Sequence, residues 1–172
     1  MENKQTIIML RQEKMKAFEA NLDDLQPSQL YISSDKLAAV ERTMREHESW
    51  HDAPVSVKRL ASRTVLTDGH TRALAAFRQG RGTIRAYWET EELDWEAYQV
   101  CVQWCVDEGI QSVADLEARI VTAKQYEELW LKRCRFMHDA LNLQRNNSQG
   151  TTNPSNTTSD TVPNAASEAV QG

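Results

Sequence analysis

The sequence predicts an α+β domain: a small mixed sheet with flanking helices and a helical C-terminal cap. Three observations carry that prediction. Between residues 22 and 88, β-branched and large apolar residues fall in short runs (Val55 and Val57, Val65 and Leu66, Thr83 to Trp88), which is how strands read. After Asp94 the apolar residues instead recur at helical intervals. Pro27, Pro54, Gly69, Gly80 and Gly109 punctuate the runs and set their ends.

In chain order, Ile8, Met15, Phe18 and Leu22 are spaced for one helical face, so residues 1–21 are read as an N-terminal helix. A short extended piece follows Pro27. Ser33 or Ser34 then caps a helix with Leu37, Val40 and Met44 inward, ending near His51 because Pro54 cannot extend it. Two strands around Val55–Val57 and Val65–Leu66 form a hairpin, and Gly69 stops the second. Thr71 to Gln79 is a helix ended by Gly80, and Thr83 to Trp88 a third strand. Trp95 to Glu108 is apolar nearly all round, the pattern of a buried helix closed by Gly109. Ser112-x-x-Asp115 and Thr122-x-x-Gln125 open two more helices with capping-box chemistry. The last helix directs Tyr126, Trp130, Cys134, Met137 and Leu141 inward. Residues 22–88 are thus the α+β core and 89–143 a helical extension packed on it.

Of the 29 residues from Gln144 to Gly172, 21 are Asn, Ser, Thr, Gln, Gly or Pro and none is aromatic. Such a stretch buries too little apolar surface to offset its ordering entropy, so 144–172 is expected to be a disordered polar tail. No apolar run approaches a membrane span and the N-terminus lacks a signal-peptide pattern, so a cytoplasmic protein without membrane contact is expected. Three cysteines argue against a disulfide framework.

The net charge is −5, yet Lys58 to Arg85 holds seven cations against the single acid Asp68. A cation-rich zone within an acidic protein suits a small anionic ligand better than a long polyanion, which the outer surface would repel. Nucleic acid is therefore a less favoured partner than a nucleotide or phosphorylated small molecule.

The turn Asp68-Gly69-His70-Thr71-Arg72 concentrates the chemistry. Gly69 permits a positive φ and close backbone approach, and the first N–H groups of the following helix are free to meet a phosphate. Arg72 offers a bidentate grip, His70 a donor or proton shuttle, and Asp68 a Mg²⁺ ligand or base.

The run Val65-Leu66-Thr67-Asp68-Gly69-His70-Thr71-Arg72 resembles the ligand-binding element of the ParB/sulfiredoxin superfamily. Leu25 to Leu30 and Pro54 to Val57 resemble its flanking strands, so the resemblance spans residues 22–88. It implies nucleotide or nucleic-acid phosphate binding at Gly69, His70, Thr71 and Arg72. Sulfiredoxins carry a catalytic Cys where this chain has His70, which argues against sulfinic-acid reduction. Partition proteins have Gly-Glu-Arg-Arg at this turn and a basic helix-turn-helix after it, whereas the helices here are acidic and aromatic. Free-serine kinases, whose turn reads Asp-Gly-His-His-Arg, are closest in wording. Their resemblance implies Mg²⁺-dependent phosphoryl transfer from ATP or another nucleotide to a small hydroxyl substrate, with Asp68 and His70 catalytic. Their acid near the first strand has no counterpart beyond Asp35 or Glu41. The alternative is a non-catalytic nucleotide-responsive adaptor or DNA-associated protein.

Two other constellations compete. His47-Glu48-Ser49-Trp50-His51 matches H-E-x-x-H, in which two histidines one helical turn apart hold zinc. Cys101, Cys105, Cys134 and His138 would make a Cys₃His site if their helices met, although core packing is the better account of these cysteines.

Overall fold

The structure, a computed structural model, describes residues 16–48 and 53–150. Strands Phe18–Asn21 (β1), Leu25–Pro27 (β2), Val55–Leu60 (β4), Arg63–Asp68 (β5) and Thr83–Trp88 (β6) form one sheet; Ile32–Ser33 (β3) and Ile120–Val121 (β7) pair separately. The sheet order is β1-β6-β4-β5-β2. It is mixed: β4 is antiparallel to β5 and parallel to β6, β2 lies parallel to β5, and β1 antiparallel to β6. The helices are Ser34–Glu46 (α1), His70–Arg78 (α2), Trp95–Asp107 (α3), Ala123–Tyr126 (α4) and Lys132–Gly150 (α5), with a 3₁₀ segment at Val113–Arg119. A π turn, Glu127–Leu131, joins α4 to α5. Among the described residues no helix is long and apolar enough to cross a membrane.

Val65 and Leu66 are consecutive on β5 and both 0% exposed. Neighbouring strand residues point to opposite faces, so β5 is covered on both sides. On one side lies α2, whose Ala73, Leu74, Ala75 and Ala76 are all fully buried. Three alanines in four positions keep this helix thin enough for α1, the 3₁₀ segment and the sheet to pack on it together. Leu74 supplies the bulk; burying such a side chain contributes about 1.5–3 kcal/mol.

β4 and β5 form the expected hairpin, with Ala61 at the turn in the left-handed region (φ 51°). At the far end the register breaks: Ser56 faces Asp68 while Val57 faces Leu66, leaving Thr67 as an extra residue. A bulge of this kind bends a strand and re-aims the chain beyond it. Here it directs the end of β5 into the turn before α2.

Several sequence expectations need correction. Residues 18–21, read as the end of an N-terminal helix, form β1, because Ala20 is buried while Glu19 and Asn21 are exposed, a period of two. The rest of that predicted helix, residues 1–15, lies outside the described residues. α1 ends at Glu46, before the expected end near His51, as His47 is extended (φ −132°, ψ 101°). α3 is not buried all round. Ala97, Cys101, Val102 and Cys105 face inward, whereas the half-exposed Trp104 is covered by the Arg133 guanidinium 4.0 Å above its ring. Residues 144–150, assigned by composition to the tail, continue α5, while 151–172 lie outside the described residues. Arg145 explains the extension: it grips Asp94 and Glu96, each at 2.7 Å, at the start of α3.

Candidate functional site

The bulge at Thr67 delivers the chain into a turn that only glycine fits. Gly69 has φ 90°, and a Cβ there would lie 2.6 Å from Val55 Cγ1. Gly69 is the N-cap of α2. Its carbonyl accepts the first helical bond from the Ala73 N–H (2.9 Å), and no side chain caps the amides that come before. The opening turn of α2 therefore presents uncapped N–H groups with the helix dipole behind them.

The side chains of the pentapeptide divide sharply. Asp68 stands in solvent, its side chain 81% exposed, with the Arg72 guanidinium 3.7 Å away. Arg72 folds back across the turn and donates to the carbonyls of Pro54 (3.1 Å) and Ala53 (3.4 Å). His70 turns inward. Its Nε2 accepts from the Ser28 backbone N–H at 3.1 Å, and the Ser28 hydroxyl donates to the Leu66 carbonyl at 2.7 Å. Burial pushes the His70 pKa down to about 4, against the opposing pull of Asp68 and the Leu66 carbonyl. His70 is thus a neutral side chain that fastens the loop after β2 to the start of α2.

A cavity of about 320 Å³ opens over this turn, within the usual range for a small-molecule site. Gly69, His70, Thr71 and Arg72 form its floor. The opposite wall comes from residues that the sequence pattern does not single out for the site. Lys36 and Val40 come from α1 and Tyr126 from α4, and the Lys36 Nζ sits 4.9 Å from the centre of the Tyr126 ring. No local pattern joins these residues; the fold brings positions some ninety apart in the chain to one mouth. Gln29, in place of the acid that the kinase resemblance would require, lines the same cavity. Of the suggested substitutes, Glu41 is held by Arg78 at 2.8 Å, and neither it nor Asp35 lines the cavity.

The cationic zone from Lys58 to Arg85 does not converge on the turn. Of its seven members, Arg72 alone lines this cavity. Arg63 donates to Gln26 at 2.6 Å, Arg78 bridges Glu41 and Glu117, and Lys58 and Arg59 lie over Trp95 and Trp88. The second cation at the site is Lys36, from outside that zone.

Behind His70 and Gln29 lies a second, more apolar cavity of about 210 Å³. Tyr98, Trp130 and Met137 supply its bulk, and Cys101, Cys134 and His138 also reach it. The described residues do not form the Cys₃His metal site. Among the described residues no group of three or more His, Cys, Asp or Glu side chains is close enough to hold a metal ion. Cys105 is buried in the core. His47 lies just beyond the last residue of α1, and His51, its partner in H-E-x-x-H, lies outside the described residues.

No protein-family model matches the chain, and no curated protein is similar to it. Solved structures similar to it include the protein Atu1540 from Agrobacterium tumefaciens (17% identity, TM-score 0.43, 59% of this chain and 61% of that one). A free serine kinase in complex with AMP is 16% identical (TM-score 0.38, 45% and 32%). The chromosome-partitioning protein ParB from Caulobacter crescentus, complexed with CTP-gamma-S, is 19% identical (TM-score 0.38, 53% of each chain). The chain spans between about one third and three fifths of the length of these proteins. The α+β architecture that the resemblance implied is the one observed.

Proposed function

We propose that this chain binds the phosphate of a nucleotide at the β5–α2 turn, with Gly69, His70, Thr71 and Arg72 as the cradle. One observation carries the proposal. The uncapped first turn of α2 lines a cavity together with two cations, Lys36 and Arg72, and an aromatic ring, Tyr126. Phosphate oxygens accept from free helix N-terminal amides and from the guanidinium fork. The left-handed turn at Gly69, closed against Val55, sets the direction of the amides that follow.

Mg²⁺ arriving with a nucleotide would meet Asp68, the one carboxylate among the residues lining the cavity. A single carboxylate plus substrate phosphates is an ordinary Mg²⁺ environment, in which the metal would neutralise phosphate charge. In the catalytic form of this proposal, a phosphotransferase acting on a small hydroxyl substrate, Asp68 is the metal ligand or base. His70 is a positioning residue, since both its burial and its bond to Ser28 turn it from the mouth. That inward turn favours a second reading, a non-catalytic nucleotide-responsive adaptor in which the ligand orders the Ser28–His70 junction.

The test is thermal unfolding of the full chain with AMP, ADP, ATP and CTP, each with and without Mg²⁺. A nucleotide at a hundred times its dissociation constant stabilises a fold by about 2.7 kcal/mol. The expected result is a shift with at least one nucleotide that is lost in Lys36→Ala and in Arg72→Ala. No shift with any of them overturns the proposal. Phosphate release or transfer with a panel of small alcohols then separates the enzyme from the adaptor.

A further inference from the structure

The second cavity holds a pair of thiols that the nucleotide reading does not use. Cys101 on α3 and Cys134 on α5, two helices in contact, both line it. We propose that Cys134 and Cys101 form a peroxide-oxidisable dithiol, with Cys134 as the attacking sulfur and Cys101 as the resolving one.

The two positions differ in the way this chemistry needs. Cys134 is half-buried on the cavity wall, where a small oxidant can reach it, whereas Cys101 is buried. The neighbouring Cys101 thiol, aided by the Arg133 and Arg135 guanidinium groups, draws the Cys134 pKa below that of an ordinary thiol. The same contact, together with burial, raises that of Cys101 and keeps it protonated. The thiolate is the reactive form, and a partly exposed thiolate beside a second thiol is the arrangement found at redox-sensitive sites. Cys105, one turn further along α3, is an internal control. It is fully buried, does not line the cavity, and burial pushes it up to about 12.

The oxidant is hydrogen peroxide. The Cys134 thiolate attacks one peroxide oxygen, the O–O bond breaks, and the departing hydroxide takes up a proton and leaves as water. The product is a sulfenic acid on Cys134. Cys101 sulfur then attacks Cys134 sulfur, the S–O bond breaks, and the second oxygen leaves as water with the Cys101 proton. Two thiols are oxidised to one disulfide and one peroxide is reduced to two waters. The bridge ties α3 to α5 across a cavity that shares His70 and Gln29 with the site at the turn.

The test uses the full, fully reduced chain treated with hydrogen peroxide, followed by thiol titration and peptide mapping under non-reducing conditions. The expected result is loss of two of its three thiols, with a Cys101–Cys134 linkage inside one chain. Cys134→Ala abolishes the linkage and Cys105→Ala leaves it intact. Cys101→Ala leaves a sulfenic acid on Cys134 that dimedone captures, so the attacking sulfur is identified even if the bridge cannot form. Retention of all three thiols, bridges between chains, or equal loss of the linkage in Cys105→Ala would overturn the proposal. None of these readouts depends on nucleotide binding.

Discussion

The backbone N–H of Ser28 donates to His70 Nε2 at 3.1 Å, joining the loop after β2 to the first residue of α2 across 42 positions of sequence. An accepting Nε2 requires the neutral ring with its proton on Nδ1. Protonation would set one N–H against another at a buried junction.

The folded His70 therefore resists protonation until about pH 4, whereas in the unfolded chain it titrates near 6.5. Between these values the unfolded state binds more protons, so stability falls as the pH drops from about 6.5 to 4 and is fully present above that window. The loss reaches roughly 3 kcal/mol. Urea denaturation of the native chain and His70→Asn at several pH values checks this. The native chain should lose more stability over that window, and matching slopes for the two proteins would refute the assignment.

Gly69→Ala should destabilise the fold by about 2–4 kcal/mol, combining a left-handed backbone with an overpacked contact. Val55 Cγ1 is the atom struck, at 2.6 Å, so Val55→Ala should relieve part of the overpacking when combined with it. Chemical denaturation of both single variants and the double variant measures the coupling.

Ala61 is the one non-glycine residue with positive φ among those described. Replacing it with glycine removes the Cβ penalty at the hairpin turn. Ala61→Gly should leave stability unchanged or raise it by up to about 1 kcal/mol, the cost of a flexible residue in the unfolded chain offsetting part of the gain. The midpoint of a denaturant curve is sufficient to read it.

Truncation after residue 143 removes Arg145 and with it the grip on Asp94 and Glu96. A chain ending at 150 should melt higher than one ending at 143, and the gap should narrow in high salt because these pairs are exposed. Arg145→Ala in the longer chain should reproduce part of the difference.

Much of this was legible in the residues. Val55, Val57, Val65 and Leu66 marked the hairpin, Thr83 to Trp88 is β6 to the residue, and both capping boxes form as written. β1 was hidden because Met15, Phe18 and Leu22 satisfy helical spacing as well as Phe18 and Ala20 satisfy alternation. The turn at Gly69 was visible since local steric demands concentrate on one residue. Lys36 and Tyr126 were not, because what places them is the packing of α1 and α4 around α2. The inward turn of His70 depends on Ser28 in the same way, through a tertiary contact that no local spacing encodes. Composition misled at Gln144, where polar residues continue a helix because Arg145 has acids to reach on α3.

The strand order also dictates a sequence of assembly. The β4–β5 hairpin closes through adjacent residues, so it can form as soon as this stretch of chain is free. β1, although first to be synthesised, finds its partner only when Thr83 to Ala86 arrive to meet Asn21 through Phe18. Until then the opening segment of the sheet waits as an unpaired edge. A growing chain halted before β6 would therefore carry a finished hairpin and an orphan strand, a state open to wrong partners.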